Sequence, residues 1–377
     1  MRSTTVRMTA CLAVSVIACV AAVSGCSGSP AGRAPATSTS TTAAPTSATP
    51  TTAANTGPTV PAVPVVRAAD GVDPKDWAGV DAAVRRSGGT VALLAAVVTP
   101  TGEVRVVHRT GPSDLRPIAS VAKLYVMVAL LDALRDGKLT WDTAITVRSQ
   151  DISAGSGSLA GRGVGARVTV FEAARLMFQE SDNTATSALI RTLGQPAMAT
   201  ALRETGHCAP DPMTPFLTVR EDLWLLYSAG AAGSRSRWAA ASPAERTRLI
   251  APAGTSPATF DGAPAWRTGL GYVAGAEDIA RAWTVIADRV RTLRSTGAAS
   301  VMTVPSPGFT RPTGWSTVWF KSGALDSVRA GTWFAPASAK SPNGRVVVVL
   351  AADGPGESGV AAIGGAAAAQ LERYATR

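Results

Sequence analysis

The hydrophobic positions change their period several times along the chain. Residues 90–98 form a continuous apolar, β-rich run, and residues 103–108 alternate apolar with polar. Pro100-Thr101-Gly102 between them supplies a turn, so the two segments predict a hairpin. A first helix is predicted over 74–86, ending before Ser87-Gly88-Gly89. Over 119–135 the pattern is helical but apolar all the way round, with Val121, Leu124, Val126, Met127, Leu130, Leu131 and Leu134, and it stops at Asp136-Gly137. Such a helix is central and buried. Helical patterns continue over 170–179, 183–193 and 276–293. Residues 317–321, 328–334 and 345–351 read as three strands, and 358–374 as a last helix. Strands at both ends with helices between predict an α/β (α+β) domain: one sheet built from the two termini, with a helical region inserted.

The segment before Val65 breaks this pattern. Arg2 and Arg7 precede an apolar run over 8–23, and Val23-Ser24-Gly25-Cys26 follows. Residues 1–26 read as a secretory signal, its run being short and Ala/Ser-rich for a membrane span. Val-Ser-Gly-Cys resembles the bacterial lipobox, which implies lipidation at Cys26; the alternative is an ordinary signal cleaved near Ser24. Residues 27–64 are almost entirely Ser, Thr, Ala, Pro and Gly, the composition of a disordered stalk. The expectation is a domain over 65–377, exported and anchored through the stalk to the outer face of the bacterial cytoplasmic membrane.

Composition narrows the chemistry. The 377 residues are 46% hydrophobic and 16% charged, which suits a sizeable core. The net charge of +10 carries no Lys/Arg run or aromatic-interleaved patch, so nucleic acid is not an expected partner. Cys11 and Cys19 leave with the signal, Cys26 would be lipidated, and Cys208 alone remains, so no internal disulfide is expected. Cys208 beside His207 reads as a buried cysteine rather than a nucleophile. His108 and His207 are the two histidines; with no GxSxG elbow and no ligand spacing, neither a Ser-His-Asp triad nor a metal site is expected. No cofactor is implied.

Three short motifs carry the chemistry: Ser120-Val121-Ala122-Lys123, Ser181-Asp182-Asn183 and Lys321-Ser322-Gly323. Each occurs once, in this order along the chain. Positions i and i+3 share a helix face, so the Ser120 hydroxyl and the Lys123 amine would come within reach of each other. A Ser hydroxyl needs a base to become a nucleophile, and Lys can be that base once burial or a neighbouring cation lowers its pKa. Only five of the 36 cations are Lys (75, 123, 138, 321 and 340), and two of those five fall in the motifs. Arg cannot give up its proton in this range and Lys can, which sets Lys123 apart from the default cation.

The ordered set resembles the class A β-lactamase and penicillin-binding-protein superfamily, from about Thr90 onward. The segment from Pro117 to Leu124 is similar to the opening of that family's central helix. The segment 169–177, leading into Ser181-Asp182-Asn183-Thr184-Ala185, is similar to its second motif, and Gly314-Trp315 to the lead-in of its third. The resemblance implies an antiparallel five-stranded sheet flanked by helices, a helical subdomain, and an active site between the two regions. It also implies roles. Ser120 is acylated, Lys123 is the base, Ser181 relays a proton to the leaving nitrogen, and Asn183 binds the substrate amide. Lys321, Ser322 and Gly323 hold the substrate carboxylate, Arg329 adds a contact to it, and the N–H groups of Ser120 and Ala324 form the oxyanion hole. The implied activity is β-lactam ring opening, or the same acyl chemistry on a D-alanyl peptide or an ester; the implied partner is a β-lactam or a cell-wall peptide, and the protein is expected to be a monomer. Non-catalytic recognition of penicillin or cell wall is the remaining alternative.

One family feature is missing. Class A enzymes carry a Glu-x-x-Leu-Asn element whose Glu activates the deacylating water; none occurs here, and segment 206–271 fits the family pattern poorly. Glu221 is a candidate replacement that reads rather as the first-turn acid of a helix, and Glu180 directly precedes the second motif. Asp182 reads as structural. Ala154-Gly155-Ser156-Gly157-Ser158 reads as a flexible turn, or as a place where backbone approaches a ligand closely.

Overall fold

The two central strands are apolar on both faces because helices cover both faces. In the computed structural model, which describes residues 63–256, 260–294, 296–303 and 310–375, these strands are β2 and β6 of a six-stranded sheet. Its strands are β1 (Val66–Ala68), β2 (Thr90–Val98), β3 (Val104–Thr110), β4 (Trp319–Leu325), β5 (Val328–Ala335) and β6 (Gly344–Ala352), in the order β1-β3-β2-β6-β5-β4. Ala92, Leu94, Ala96 and Val98 of β2 point into one core and Val91, Leu93, Ala95 and Val97 into another. β6 divides in the same way, with Val346, Val348 and Leu350 on one side and Val347, Val349 and Ala351 on the other. The hairpin and the last two strands stand where the periodicity put them, whereas β4, expected over 317–321, runs from Trp319 to Leu325 and so carries the whole Lys321-Ser322-Gly323 motif.

The sheet corrects the expected five strands in one respect. Five strands pair antiparallel, and β1 adds a sixth at the edge, parallel to β3 with Val66 opposite Val104. A three-residue strand with two exposed residues carries no hydrophobic period, so nothing in the sequence announced it.

The helices are α1 (Ala78–Arg86), α2 (Lys123–Arg135), α3 (Val170–Gln179), α4 (Asn183–Leu193), α5 (Gln195–Glu204), α6 (Val219–Tyr227), α7 (Ala232–Trp238), α8 (Pro243–Ile250), α9 (Ala276–Leu293), α10 (Thr296–Thr303) and α11 (Glu357–Leu371). α1 and α11 cover the smaller core through Val80, Val360, Ile363 and Leu371. α2 and α9 lie on the larger one, and α3 to α8 extend it as the inserted helical region. α2 is buried on every side, Leu124, Tyr125, Met127, Leu130 and Leu131 included, as its unbroken apolar circumference predicted. Among the described residues no helix is long and apolar enough to cross a membrane. The signal segment, Cys26 and the stalk up to residue 62 lie outside the described residues.

Candidate active site

Ser120 sits where the chain tightens before α2. Ala119–Ala122 is a 3-10 turn, and Ala119 enters it at φ +46°, a conformation L-residues rarely adopt. Ser120 is the second residue of that turn, so its N–H has no partner within the turn and is available to a ligand. β4 runs against this segment. A Cβ on Gly323 would lie 2.3 Å from the Ile118 carbonyl oxygen and 3.2 Å from the Ser120 nitrogen, so only glycine permits the approach. That contact brings Ser322, Gly323 and Ala324 alongside the hydroxyl.

The second motif occupies the step from α3 to α4. Ser181 takes φ +53° between the two helices. Asp182 caps α4, with Oδ1 accepting from Ala185 N at 2.7 Å, and its Oδ2 accepts from Leu159 N at 2.8 Å. Its role is structural, as expected. The Gly155–Gly157 segment is not a loose turn. A Cβ on Gly157 would strike Asp182 at 2.2 Å and one on Gly155 would meet Asn183 Nδ2 at 2.8 Å, so the glycines let this loop pack on the motif itself. Ser156 Oγ donates to the Ser181 carbonyl at 2.7 Å, and Asn183 N donates to the Ser156 carbonyl at 3.0 Å.

Two buried lysines meet at Ser181. Lys123 Nζ lies 3.1 Å and Lys321 Nζ 3.0 Å from the Ser181 hydroxyl oxygen. Lys123 also donates to the Ser181 carbonyl and, at 2.9 Å, to Asn183 Oδ1. Its amine is thus turned toward Ser181 and Asn183; among the described residues none of its hydrogen bonds goes to Ser120, although the two share a cleft wall. Lys321 also donates to the Ser322 carbonyl at 2.9 Å and is fully buried, beneath the cleft rather than in it. Burial pushes its pKa down to about 7. Burial first, and the Lys321 charge second, hold Lys123 well below the ordinary lysine range, against a smaller opposing effect of Asp182. Two ammonium ions this close in a dry site are unfavourable, so a proton that enters is shared across the Lys123–Ser181–Lys321 bridge. A neutral Lys123 keeps two N–H bonds for the two carbonyl-type oxygens and a lone pair for a hydroxyl proton.

Ser120 stands at the junction of a two-armed cleft. One arm, about 170 Å³, runs past Ser181, Ser322 and Gly323 toward Glu357 and Val360. The other, about 520 Å³, runs past Lys123 and Asn183 toward α6. Ser120, Ser156, Ala324 and Arg329 border both. The nine site residues expected within the domain are therefore brought together around one cleft, with Lys321 just beneath it.

Residues 79–251 match the model of the β-lactamase enzyme family. That stretch is similar to β-lactamases. The fold of the chain is shared with PBP-A, at 16% identity over 83% of this chain and 98% of that one with a TM-score of 0.52. It is shared also with an ancestral class A β-lactamase, at 18% identity, 80% and 98% coverage and a TM-score of 0.51. A β-lactamase from Chitinophaga pinensis DSM 2588 is similar at 14% identity, 80% and 98% coverage and a TM-score of 0.50. The comparison with curated proteins found no match. At these identities the likeness is one of fold, the β-lactamase/transpeptidase fold.

The remaining candidates fall elsewhere in this β-lactamase-like domain. Glu221 closes a capping box with Thr218, its Oε2 accepting from Thr218 N at 2.7 Å and from Thr218 Oγ1 at 2.9 Å. Glu180 accepts from Ser158 N at 2.9 Å. Cys208 corrects an expectation, being exposed rather than buried. Its thiol donates to Asp278, and partial burial together with that carboxylate pushes its pKa up to about 11, away from nucleophilic use. His207, Cys208 and Asp278 cluster as metal ligands can. Their atoms are engaged, however: His207 Nε2 with the Val273 carbonyl, His207 Nδ1 with Ala209 N, and Asp278 with Cys208 N and Gly275 N at the start of α9. His108 pairs with Asp81 at 2.8 Å.

Asp222 escaped the sequence reading. It is 3% exposed, borders the larger arm, and has a carboxylate oxygen, Oδ1, without a hydrogen-bond partner. Burial raises its pKa to about 8. A signal existed. Asp222 follows Val219 by three and precedes Leu225 by three, which sets a charge within the apolar face of α6.

Proposed function

We propose that the chain opens β-lactam rings through an acyl-Ser120 intermediate. The observation that carries the reading is the Ser181 hydroxyl bridged between two buried lysines at the edge of a cleft bordered by Ser120. Neutral Lys123 takes the Ser120 proton as Oγ bonds to the lactam carbonyl carbon. The oxyanion forms against the N–H groups of Ser120 and Ala324. Ser181 then passes its proton to the ring nitrogen as the C–N bond breaks and recovers one from Lys123, which returns to its neutral form, while Lys321 holds the Ser181 oxygen from the other side. Ser322 and Arg329, bordering the cleft, bind the substrate carboxylate, and the Lys321 charge beneath Ser181 adds to that field. Asn183 borders the α6 arm, where it contacts the substrate amide. Water hydrolyses the ester in the last step. A PBP-A variant, similar in fold, has been captured as an acyl-enzyme with penicillin G.

A second reading, acyl transfer or hydrolysis on a D-alanyl peptide, is favoured by one feature. Glu221 is held in its cap, and the acids that border the cleft are Asp222, Asp326 and Glu357, so no glutamate stands in for the missing family element on α6. In either case the lipobox at Cys26 and the stalk would hold the domain at the outer face of the membrane.

Intact mass followed against time with benzylpenicillin, beside loss of the ring, tests the reading. An adduct on wild type that clears while the ring is consumed, and is lost in Ser120→Ala, is the expected result. An adduct that persists after one equivalent favours the peptide reading. No adduct and no ring loss refutes the β-lactam reading.

A further inference from the structure

A buried carboxyl that borders a substrate cleft and lacks a partner is costly unless a ligand supplies one. Asp222 is that group, and its surroundings limit what the partner can be. Gly271 lies against Oδ1, where even a Cβ would stand 3.0 Å away. Tyr227, Tyr272 and Phe260 border the same arm. The Tyr272 hydroxyl donates to the Leu217 carbonyl at 2.6 Å and is spent on backbone, while the Tyr227 hydroxyl accepts from Asp326 N at 3.3 Å. Tyr227 and Phe260 meet edge to face with centroids 4.8 Å apart.

The charges facing this space are few. Asp326 borders the arm and adds a second acid. Arg329 borders it too, but its guanidinium donates to the Leu325 and Val328 carbonyls. Lys123 directs its N–H bonds to Ser181 and Asn183. Glu221, next to Asp222, is bound to Thr218. The arm thus offers two carboxyl groups and aromatic surface, with Arg329 held by backbone carbonyls at the border it shares with the other arm.

We propose that the α6 arm is a subsite for an acyl side chain that carries an ammonium group, with the Asp222 carboxylate as its counter-ion. The inference rests on the acyl-Ser120 reading above. An ammonium in the arm gives the Asp222 carboxylate a counter-ion, gains from the aromatic walls and favours the ionised state that burial disfavours. Binding of the ammonium form favours the ionised Asp222 and so displaces its proton.

The test compares ampicillin with benzylpenicillin, which differ by one α-amino group, as the ratio of their acylation rate constants. Wild type should favour the amine-bearing compound by about tenfold or more, the range for a hydrogen bond to a charged group. In Asp222→Asn the ratio should fall to about one. The variant should fold with a raised melting temperature, since the unpaired acid is gone. A ratio near one in wild type, or an unchanged ratio in the variant, overturns the proposal. So does a variant that traps both acyl-enzymes at an unchanged ratio, which would make Asp222 the group that serves the deacylating water. If neither penicillin acylates the protein, the function reading has failed, and binding decides the subsite separately. Phenylglycinamide, mandelamide and phenylacetamide are then titrated against both proteins. Tighter binding of the amine alone, lost in Asp222→Asn, upholds the subsite; equal binding of the three, or binding of mandelamide as tight as that of the amine, overturns it.

Discussion

Gly323→Ala is a demanding test of the site's construction, because the glycine brings no side chain to the chemistry. The added methyl would stand 2.3 Å from the Ile118 carbonyl oxygen, with Ala119 Cβ and Ser120 N each at 3.2 Å. Ordinary carbon–oxygen contacts in sheets lie at about 3.3–3.6 Å, so β4 and the Ser120 segment must separate by about 1 Å. Neither side yields easily. Lys321 is tied to Ser181 and Ser322 two residues before the glycine, and Ile118 N is tied to the Tyr272 carbonyl at 3.0 Å. Overpacking of this kind costs about 1–3 kcal/mol of stability. A displacement of about 1 Å between a nucleophile and its oxyanion donors can lower its rate about a hundredfold. The assay is labelling of Ser120 by benzylpenicillin, with a fluorophosphonate as a second acceptor-independent probe, beside a thermal melt. Gly79→Ala is the control: it lies in α1 with nothing within 4 Å of the added methyl, and should gain about 0.5–1 kcal/mol with labelling unaltered. A folded Gly323→Ala protein that labels at the wild-type rate would refute the idea that β4 sets the position of Ser120.

Lys123→Met keeps the length and burial of the side chain but removes the base, and should slow Ser120 labelling by about 10²–10⁴-fold with the melt retained; stopped-time mass spectrometry reads it. Asp182→Ala frees Ala185 N and Leu159 N and should cost about 1–3 kcal/mol in urea unfolding, with labelling reduced as Ser181 loses its support. Stability should also depend on pH through Lys321. Its folded pKa, about 7, lies below the unfolded value, so between those values the unfolded chain holds the extra proton and stability rises with pH. Lys123, shifted the same way, adds to the rise. The slope from this source should approach about 1.4 kcal/mol per pH unit above 7 and shrink in Lys321→Met, as measured by urea unfolding at pH 7 and 9.

Order along the chain was enough for the main strands of the sheet and for the helices that flank the motifs, but not for β1, α5, α7, α8 or α10. Local periodicity decides whether a segment such as 90–98 or 183–193 can hide its apolar atoms as a strand or a helix, and the structure has those elements at Thr90–Val98 and Asn183–Leu193. The three motifs, far apart along the chain at 120–123, 181–183 and 321–323, named residues that the fold gathers at one cleft. What spacing cannot express is which atoms face each other once the long stretch from Ser181 to Lys321 has been folded between them. The helical i, i+3 rule placed Lys123 near Ser120, yet tertiary packing turned its amine to Ser181 and Asn183. Spacing likewise could not show that Lys321 would be fully buried against Ser181, on the face of β4 opposite Ser322. The glycines of 155–157 resembled a loose turn because sequence cannot show the motif they pack against. Asp222 was hidden beside Glu221 because one acid closes a helix cap and the next is driven into the cleft, a difference of about 100° of helix rotation that matters only when neighbours surround it. The residue types settled what chemistry was possible; burial, desolvation and the facing of atoms from distant segments, which exist only in the folded chain, decided which groups can perform it.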